Sequence, residues 1–78
     1  MPEITETADL RGYRCPLPVL KLRARMKKLP VGAVVEVLTD DPLAALDIPA
    51  LCQEVGHGLL EQNVVDGDEM RFLVERGV

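Results

Sequence analysis

The fold is organised around Arg14-Cys15-Pro16-Leu17-Pro18, where two prolines mark the start of a helix. Proline is favoured in the first helical turn, because its missing N–H would have no intrahelical partner there. Pro16 and Pro18 are therefore predicted at the first and third helical positions. A residue before proline is pushed toward the extended conformation that an N-cap needs, so Cys15 is predicted as the N-cap.

The predicted position of Cys15 favours a reactive thiol. At a helix N-terminus the sulfur would face free backbone N–H groups and the positive end of the helix dipole, while Arg11 and Arg14 arrive from the preceding loop. Such surroundings lower the pKa of a cysteine and make it nucleophilic near neutral pH. The alternative is a structural residue that tolerates a proline-rich turn. A cysteine that caps a helix beside two arginines is not typical of a core, so we predict a reactive Cys15 with a lowered pKa.

Residues 16–29 have the spacing of an amphipathic helix. The apolar stripe follows i, i+3, i+7 and i+10 and consists of Val19, Leu22, Met26 and Leu29. The opposite, solvent-facing stripe is cationic and consists of Lys21, Arg25 and Lys28. Leu17 fits neither stripe, so we predict an exposed apolar side chain beside the thiol.

The net charge of −4 hides a strong asymmetry. Seven of the nine basic residues lie between Arg11 and Lys28, and no acidic residue lies between Asp9 and Glu36. Direct nucleic-acid binding is not expected, because the overall balance is acidic and one Tyr and one Phe offer little surface for base stacking. The local basic patch is instead predicted to bind an acidic protein surface, and the residues predicted to contact a partner are Arg11, Arg14, Leu17, Lys21 and Arg25.

The remaining pattern predicts a single α/β domain over residues 1–78. Strands are predicted at residues 8–10, 33–39, 59–65 and 69–76, and a second helix is predicted to begin with Asp47 as its N-cap. Strand, helix, strand implies a parallel crossover, and Asp66-Gly67-Asp68 has the composition of a hairpin turn. The predicted fold is a two-layer α/β sandwich of order βαβαββ, with two helices on one face of a four-stranded mixed sheet.

Cys52 and His57 have less specific surroundings than Cys15. Cys52 falls on the apolar face of the second predicted helix, which favours a small core residue. His57 lies between two glycines at the end of that helix, where a C-cap or an exposed polar residue is the commoner role than a general base. The two cysteines do not have zinc-ligand spacing and do not suggest a disulfide framework, so no metal is predicted.

These motifs carry a family resemblance. The stretch from Asp9 to Pro18, then Asp40-Asp41-Pro42, and then Asp47-Ile48-Pro49 with Cys52, resembles the TusA (SirA-like) sulfur-carrier family over nearly the whole chain. The resemblance implies that Cys15 receives sulfur as a persulfide from a cysteine desulfurase or another sulfur donor and passes it to an acceptor protein. No cofactor is implied beyond that covalent persulfide. The receiving pathway stays open among tRNA thiolation, molybdenum-cofactor assembly, sulfur oxidation and selenium metabolism.

The chemistry of the residues also favours a carrier over a self-sufficient enzyme. A cysteine hydrolase needs a histidine beside the nucleophile, and a thioredoxin-type enzyme needs a neighbouring second cysteine. Two alternatives to a sulfur carrier stay open: a thiol redox sensor that uses Cys15, and a non-catalytic protein-interaction module. Residues 1–10 have no basic residue and no long apolar run, so a cytoplasmic protein without a membrane segment is expected.

Overall fold

The computed structural model describes residues 3–78, which form six elements in the predicted order βαβαββ. The elements are β1 (Glu6–Asp9), α1 (Leu17–Met26), β2 (Val34–Thr39), α2 (Ala44–Val55), β3 (Gly58–Asp66) and β4 (Glu69–Glu75). The first strand begins and ends earlier than residues 8–10, and the first helix ends three residues before Leu29. Residues 1 and 2 of the predicted domain lie outside the described residues.

The sheet is mixed, as predicted, with the strand order β1-β2-β4-β3. β1 pairs with β2 in parallel, while β2 with β4 and β3 with β4 are antiparallel pairs. The parallel pair places the carboxyl ends of β1 and β2 side by side at one edge of the sheet. The segments that follow these two strands, residues 10–16 and 40–43, therefore meet at that edge.

Both helices cover the same face of the sheet, which confirms the predicted two-layer sandwich. Ala8 of β1 pairs with Val37 of β2, and Val37 pairs with Phe72 of β4, so the three side chains share one face. This face is buried together with Leu22 of α1 and Ile48 of α2 in one hydrophobic core. The helices are therefore held by apolar burial, the main stabilising contribution in a domain of this size.

The start of α2 differs from the prediction, because the helix begins at Ala44 and not after an Asp47 N-cap. Asp41 stabilises the turn that precedes the helix. Its side chain accepts the Leu43 N–H at 3.2 Å, and its carbonyl accepts the Ala44 N–H at 2.9 Å. Asp47 consequently lies in the first turn of the helix. Residues 44–46, which precede Asp47, therefore belong to the same helix.

Pro49 lies inside α2, where a proline leaves the carbonyl four residues earlier without its helical N–H donor. That carbonyl belongs to Ala45, and it accepts a hydrogen bond from the Gln62 side-chain amide of β3 at 3.3 Å. A tertiary contact thus replaces the missing helical bond.

None of the helices among residues 3–78 is long and apolar enough to cross a membrane.

Candidate functional site

The loop between β1 and α1 is held by two aspartates that follow β2. The Asp40 carboxylate accepts the Gly12 N–H at 2.9 Å, and the Asp41 carboxylate accepts the Cys15 N–H at 2.7 Å. Gly12 has a φ of 90°, a left-handed conformation that favours glycine. Asp41 is only 3% exposed and is buried beneath the loop. The position of Cys15 is therefore set by a neighbouring strand end as well as by its own helix.

The beginning of α1 is shifted by one residue from the prediction. Pro16 is the N-cap, Leu17 and Pro18 are the first and second helical residues, and Cys15 lies just before the cap. The Leu17 N–H donates to the Arg14 carbonyl at 2.8 Å, so it is not available to the sulfur. The prediction that Cys15 caps the helix through its sulfur is wrong, because this backbone turn takes the N–H that the cap would use.

The thiol of Cys15 is exposed and donates to a carboxylate. Its Sγ lies 3.2 Å from Oδ2 of Asp47, in the first turn of α2. This hydrogen bond, followed by partial desolvation and the negative charges of Asp47 and Asp41, raises the pKa of Cys15 above its ordinary value. The predicted lowering of this pKa is therefore wrong. The largest influence on the pKa of Cys15 is an acid from the second helix, and not a cation from the preceding loop.

The two arginines that precede Cys15 are engaged elsewhere. Arg11 forms ion pairs with Asp9 at 2.7 Å and with Glu69 at 2.9 Å, and its hydrogen bonds lower the pKa of Asp9 to about 2. Arg14 forms an ion pair with Asp40 at 2.8 Å, which raises the pKa of Arg14. Both residues lie on the predicted loop, but their guanidinium groups organise carboxylates around the site. Their predicted role in binding a partner stays a prediction.

A groove of about 320 Å³ runs between the two helices, with Cys15 in its lining. Val19 and Arg23 line it from α1, and Asp47, Ala50 and Glu54 line it from α2. Most of the other lining residues are apolar, while the charged residues are basic on the α1 side and acidic on the α2 side. The groove is open to solvent at the thiol, so a segment of another protein can reach the sulfur along it.

The outer face of α1 is cationic and exposed, as its spacing predicts. Lys21 lies over the ring of Tyr13 at 4.5 Å, and Arg25 forms an ion pair with Glu6 at 2.6 Å. Leu17 is 45% exposed beside Cys15, which confirms the predicted apolar side chain next to the thiol. The site thus combines an exposed sulfur, an apolar flank and a basic helix face.

Comparison with known proteins agrees with this geometry. The family model described as "Sulfurtransferase TusA" matches residues 6–76 of the chain. The chain belongs to the TusA family. A relative from Archaeoglobus fulgidus, named "Putative sulfur carrier protein", is 39% identical over 67 residues, which cover 86% of this chain and 87% of the relative. The crystal structure of the SirA-like protein from Desulfitobacterium hafniense has the same fold, with a TM-score of 0.81 and 24% identity over 95% of this chain and 100% of that chain.

Within this TusA-family fold, Cys52 and His57 lie apart from the Cys15 groove. Cys52 is 3% exposed in the core, and burial raises the pKa of its thiol. Nδ1 of His57 accepts the Gly77 N–H at 3.1 Å, and burial together with the charge of Arg76 lowers its pKa. The structure therefore places Cys52 as a core residue, as predicted, and His57 at the far end of α2 from Asp47.

Two site residues were not identified from the sequence, Asp41 and Asp47. Asp41 stands between a predicted strand and a proline, which is the setting of an aspartate that accepts the N–H two residues later. That signal was present but does not show that the second carboxylate oxygen binds the Cys15 N–H. The sequence around Asp47 indicates only a helix cap, and no spacing in it indicates a contact across 32 positions with the thiol.

The two cysteines of this TusA-family chain are expected to differ in alkylation rate in the folded protein. Cys15 should react faster with iodoacetamide because its thiol is exposed, whereas Cys52 is buried. Because the pKa of Cys15 is raised, its rate should keep increasing as the pH rises above 8.5, where an ordinary thiol begins to level off. Peptide mass spectrometry after timed labelling measures both rates. Equal native rates for the two cysteines would contradict the exposure difference.

Proposed function

We propose that this protein is a sulfur carrier that accepts sulfur as a persulfide on Cys15 and relays it to an acceptor protein. The observation that carries the proposal is an exposed thiol at an open interhelical groove, in a chain of the TusA family. Delivery of sulfur for tRNA thiolation is one pathway that such a relay serves. The sulfur donor is proposed to be a cysteine desulfurase or another protein that carries a persulfide.

The proposed transfer needs no oxidant and no metal. The Cys15 thiolate attacks the outer sulfur of the donor persulfide, so a new S–S bond forms on Cys15 while the S–S bond of the donor breaks. The inner sulfur of the donor leaves as a thiolate and takes up a proton, which balances the proton that Cys15 released. Transfer to the acceptor repeats the same exchange, with a nucleophile of the acceptor attacking the outer sulfur on Cys15.

The composition of the site supports a carrier over the alternative functions. Among residues 3–78, the Cys15 thiol forms its side-chain hydrogen bond with Asp47, and neither Cys52 nor His57 lines the groove. A catalytic dyad or a resolving cysteine is therefore not assembled around Cys15. A redox sensor is favoured by a low thiol pKa, and the pKa of Cys15 is shifted in the opposite direction.

The direct test is intact-protein mass after incubation with a cysteine desulfurase, pyridoxal phosphate and free cysteine. The expected result is a gain of one sulfur atom that is removed by dithiothreitol and maps to the peptide containing Cys15. A gain of oxygen, or no gain from either an active desulfurase or a second protein that carries a persulfide, would contradict the carrier function. Omission of free cysteine provides the control, because the donor then has no sulfur to transfer.

Docking of the donor is proposed to use the cationic face of α1. Arg25 is already paired with Glu6, so the variant that tests this face with least effect on the fold is Lys21→Glu with Lys28→Glu. Loading of this variant should be slower, and added salt should slow the wild type more than the variant, because screening weakens charge-steered association. Intact-protein mass in samples quenched at successive times measures both effects.

The control for this docking prediction is Lys27→Glu, which reverses one charge at the C-cap of α1. Lys27 lines a separate cavity with His57 and Arg76. Loading that is insensitive to Lys21→Glu with Lys28→Glu, or equally sensitive to Lys27→Glu, would place the docking surface elsewhere.

A further inference from the structure

The thiol of Cys15 faces an acidic wall of the groove. Asp47 and Glu54 lie seven positions apart on α2 and both line the groove, so they project along the same side of the helix. In the described part of the chain, neither carboxylate forms an ion pair. The ion pairs found there are formed by other aspartates and glutamates. The wall therefore presents unpaired negative charge next to the sulfur.

The cations near the site do not offset this charge. Arg14 is paired with Asp40, and Arg11 is paired with Asp9 and Glu69. Arg23 lines the opposite wall of the groove but forms no ion pair with Asp47 or Glu54. The remaining acid near the thiol, Asp41, is buried and accepts two backbone N–H groups. Asp47 is thus the half-buried, accessible carboxylate in direct contact with the sulfur.

We infer that Asp47 locks Cys15 as a protonated, unreactive thiol, and that a partner protein releases it by placing an arginine or lysine against Asp47. The inference rests on the proposed function, because it specifies the chemistry of the donor or acceptor that reaches Cys15. A thiol donates its proton to the carboxylate, whereas a thiolate would face two acceptor oxygens and a negative charge at 3.2 Å. A cation bound to Asp47 removes both disadvantages and stabilises the thiolate.

The lock fits the demands of a carrier. A free thiolate is attacked by oxidants and electrophiles, and it exchanges with unrelated disulfides. An exposed cysteine that is held as a thiol is protected from these reactions between transfers. A cation carried beside the reactive sulfur of the partner would make Cys15 nucleophilic only within the correct complex. The expected partner segment is therefore a loop with an arginine or lysine close to its sulfur-bearing residue.

The first test compares Asp47→Asn with Glu54→Gln. Both changes remove one negative charge from the same wall, but only Asp47 contacts the thiol. Asp47→Asn should increase the rate of Cys15 alkylation by iodoacetamide at pH 7 about fivefold, the effect of one unit charge at about 4 Å in water, and Glu54→Gln should increase it less than twofold. An unchanged rate in Asp47→Asn, or an equal increase in both variants, would overturn the lock.

The second test asks whether a cation releases the thiol. Cystamine, which carries ammonium groups, and dithiodiglycolate, which carries carboxylates, both exchange with Cys15 to form a mixed disulfide and release one thiolate. The ratio of their rates should favour cystamine in the wild type and should fall about fivefold in Asp47→Asn. The ratio should be nearly unchanged in Glu54→Gln. A ratio that is the same in the wild type and Asp47→Asn would contradict release by a cation.

These readouts are independent of sulfur transfer, so the two proposals can fail separately. Circular dichroism and thermal unfolding establish that the Asp47→Asn protein is folded, and Asp47→Ser, which also lacks the charge, should reproduce its rates. If the wild type gains sulfur from the desulfurase but Asp47→Asn leaves both rates unchanged, the lock is wrong and the carrier function stands. If the rates change as expected but no sulfur is gained, the carrier function is wrong and the lock stands.

Discussion

Replacement of Cys15 by serine is expected to abolish sulfur loading and to leave the fold intact. Loading should be lost completely, because a hydroxyl cannot attack the outer sulfur of a persulfide as a thiolate does. The fold should be kept, because the Cys15 side chain is exposed and the residue is attached to the end of β2 through its backbone N–H, which donates to Asp41. Serine retains that N–H and can donate its hydroxyl proton to Asp47. Intact-protein mass after incubation with the sulfur donor is the measurement.

The matched control for Cys15→Ser is Cys52→Ala, which is expected to give the opposite result. Cys52 is in the core, so removal of its sulfur should lower the free energy of unfolding by about 1 kcal/mol. Loading on Cys15 should be unchanged, because Cys52 does not line the groove. A folded Cys52→Ala protein that cannot retain or transfer sulfur would contradict a mechanism with a single sulfur-bearing cysteine. Residual loading of Cys15→Ser would contradict it as well.

Replacement of Asp41 by alanine is expected to have the largest effect on stability among the changes near the site. Its two carboxylate oxygens accept the N–H groups of Cys15 and Leu43, and its burial leaves little water to replace them. Loss of both acceptors should lower the free energy of unfolding by about 2 kcal/mol. The rate of sulfur loading should also fall, because the loop that positions Cys15 loses its attachment to the end of β2. Urea unfolding and loading time courses measure the two effects.

The variant Asp41→Asn separates the turn from the attachment of Cys15. The asparagine oxygen can still accept the Leu43 N–H, whereas its amide group cannot accept the Cys15 N–H. Loading should therefore be slowed in Asp41→Asn, as in Asp41→Ala, with a smaller loss of stability. An exposed aspartate of the β3–β4 turn, Asp68, provides the control, and Asp68→Ala should change neither quantity appreciably. Normal loading by a folded Asp41→Asn protein would remove Asp41 from the positioning of the sulfur.

The order and faces of the elements could be predicted from sequence because they depend on local periodicity. Apolar residues at helical spacing placed Leu22 and Met26 in the core, and alternation placed Val35 and Val37 on one face of a strand. The same reasoning placed Cys52 in the core and left Leu17 exposed. Short-range patterns of this kind carry over to the fold, since each element must bury its own apolar side.

The exact helix starts were not predictable from the same patterns. The sequence pattern predicts each cap shortly before a proline: Cys15 directly before Pro16, and Asp47 two residues before Pro49. In the structure α1 begins after a backbone turn with Pro16 as its N-cap, and α2 begins at Ala44, after a turn that Asp41 stabilises. Pro49 can lie inside α2 because Gln62 from a distant strand binds the carbonyl of Ala45. These outcomes depend on hydrogen bonds that join segments far apart in the chain.

The sequence by itself determined the reactive candidate, the order of the elements and the basic face of α1. Only the tertiary structure decided the surroundings of the Cys15 thiol and the upward direction of its pKa shift, since the parallel pairing of β1 and β2 brings Asp41 to its backbone and α2 brings Asp47 to its sulfur. Local charges in the sequence favoured a thiolate, because Arg11 and Arg14 precede the cysteine. Folding reverses that preference, because Arg11 pairs with Asp9 and the distant Glu69, Arg14 pairs with the distant Asp40, and the hydrogen-bond partner left to the thiol is an acid.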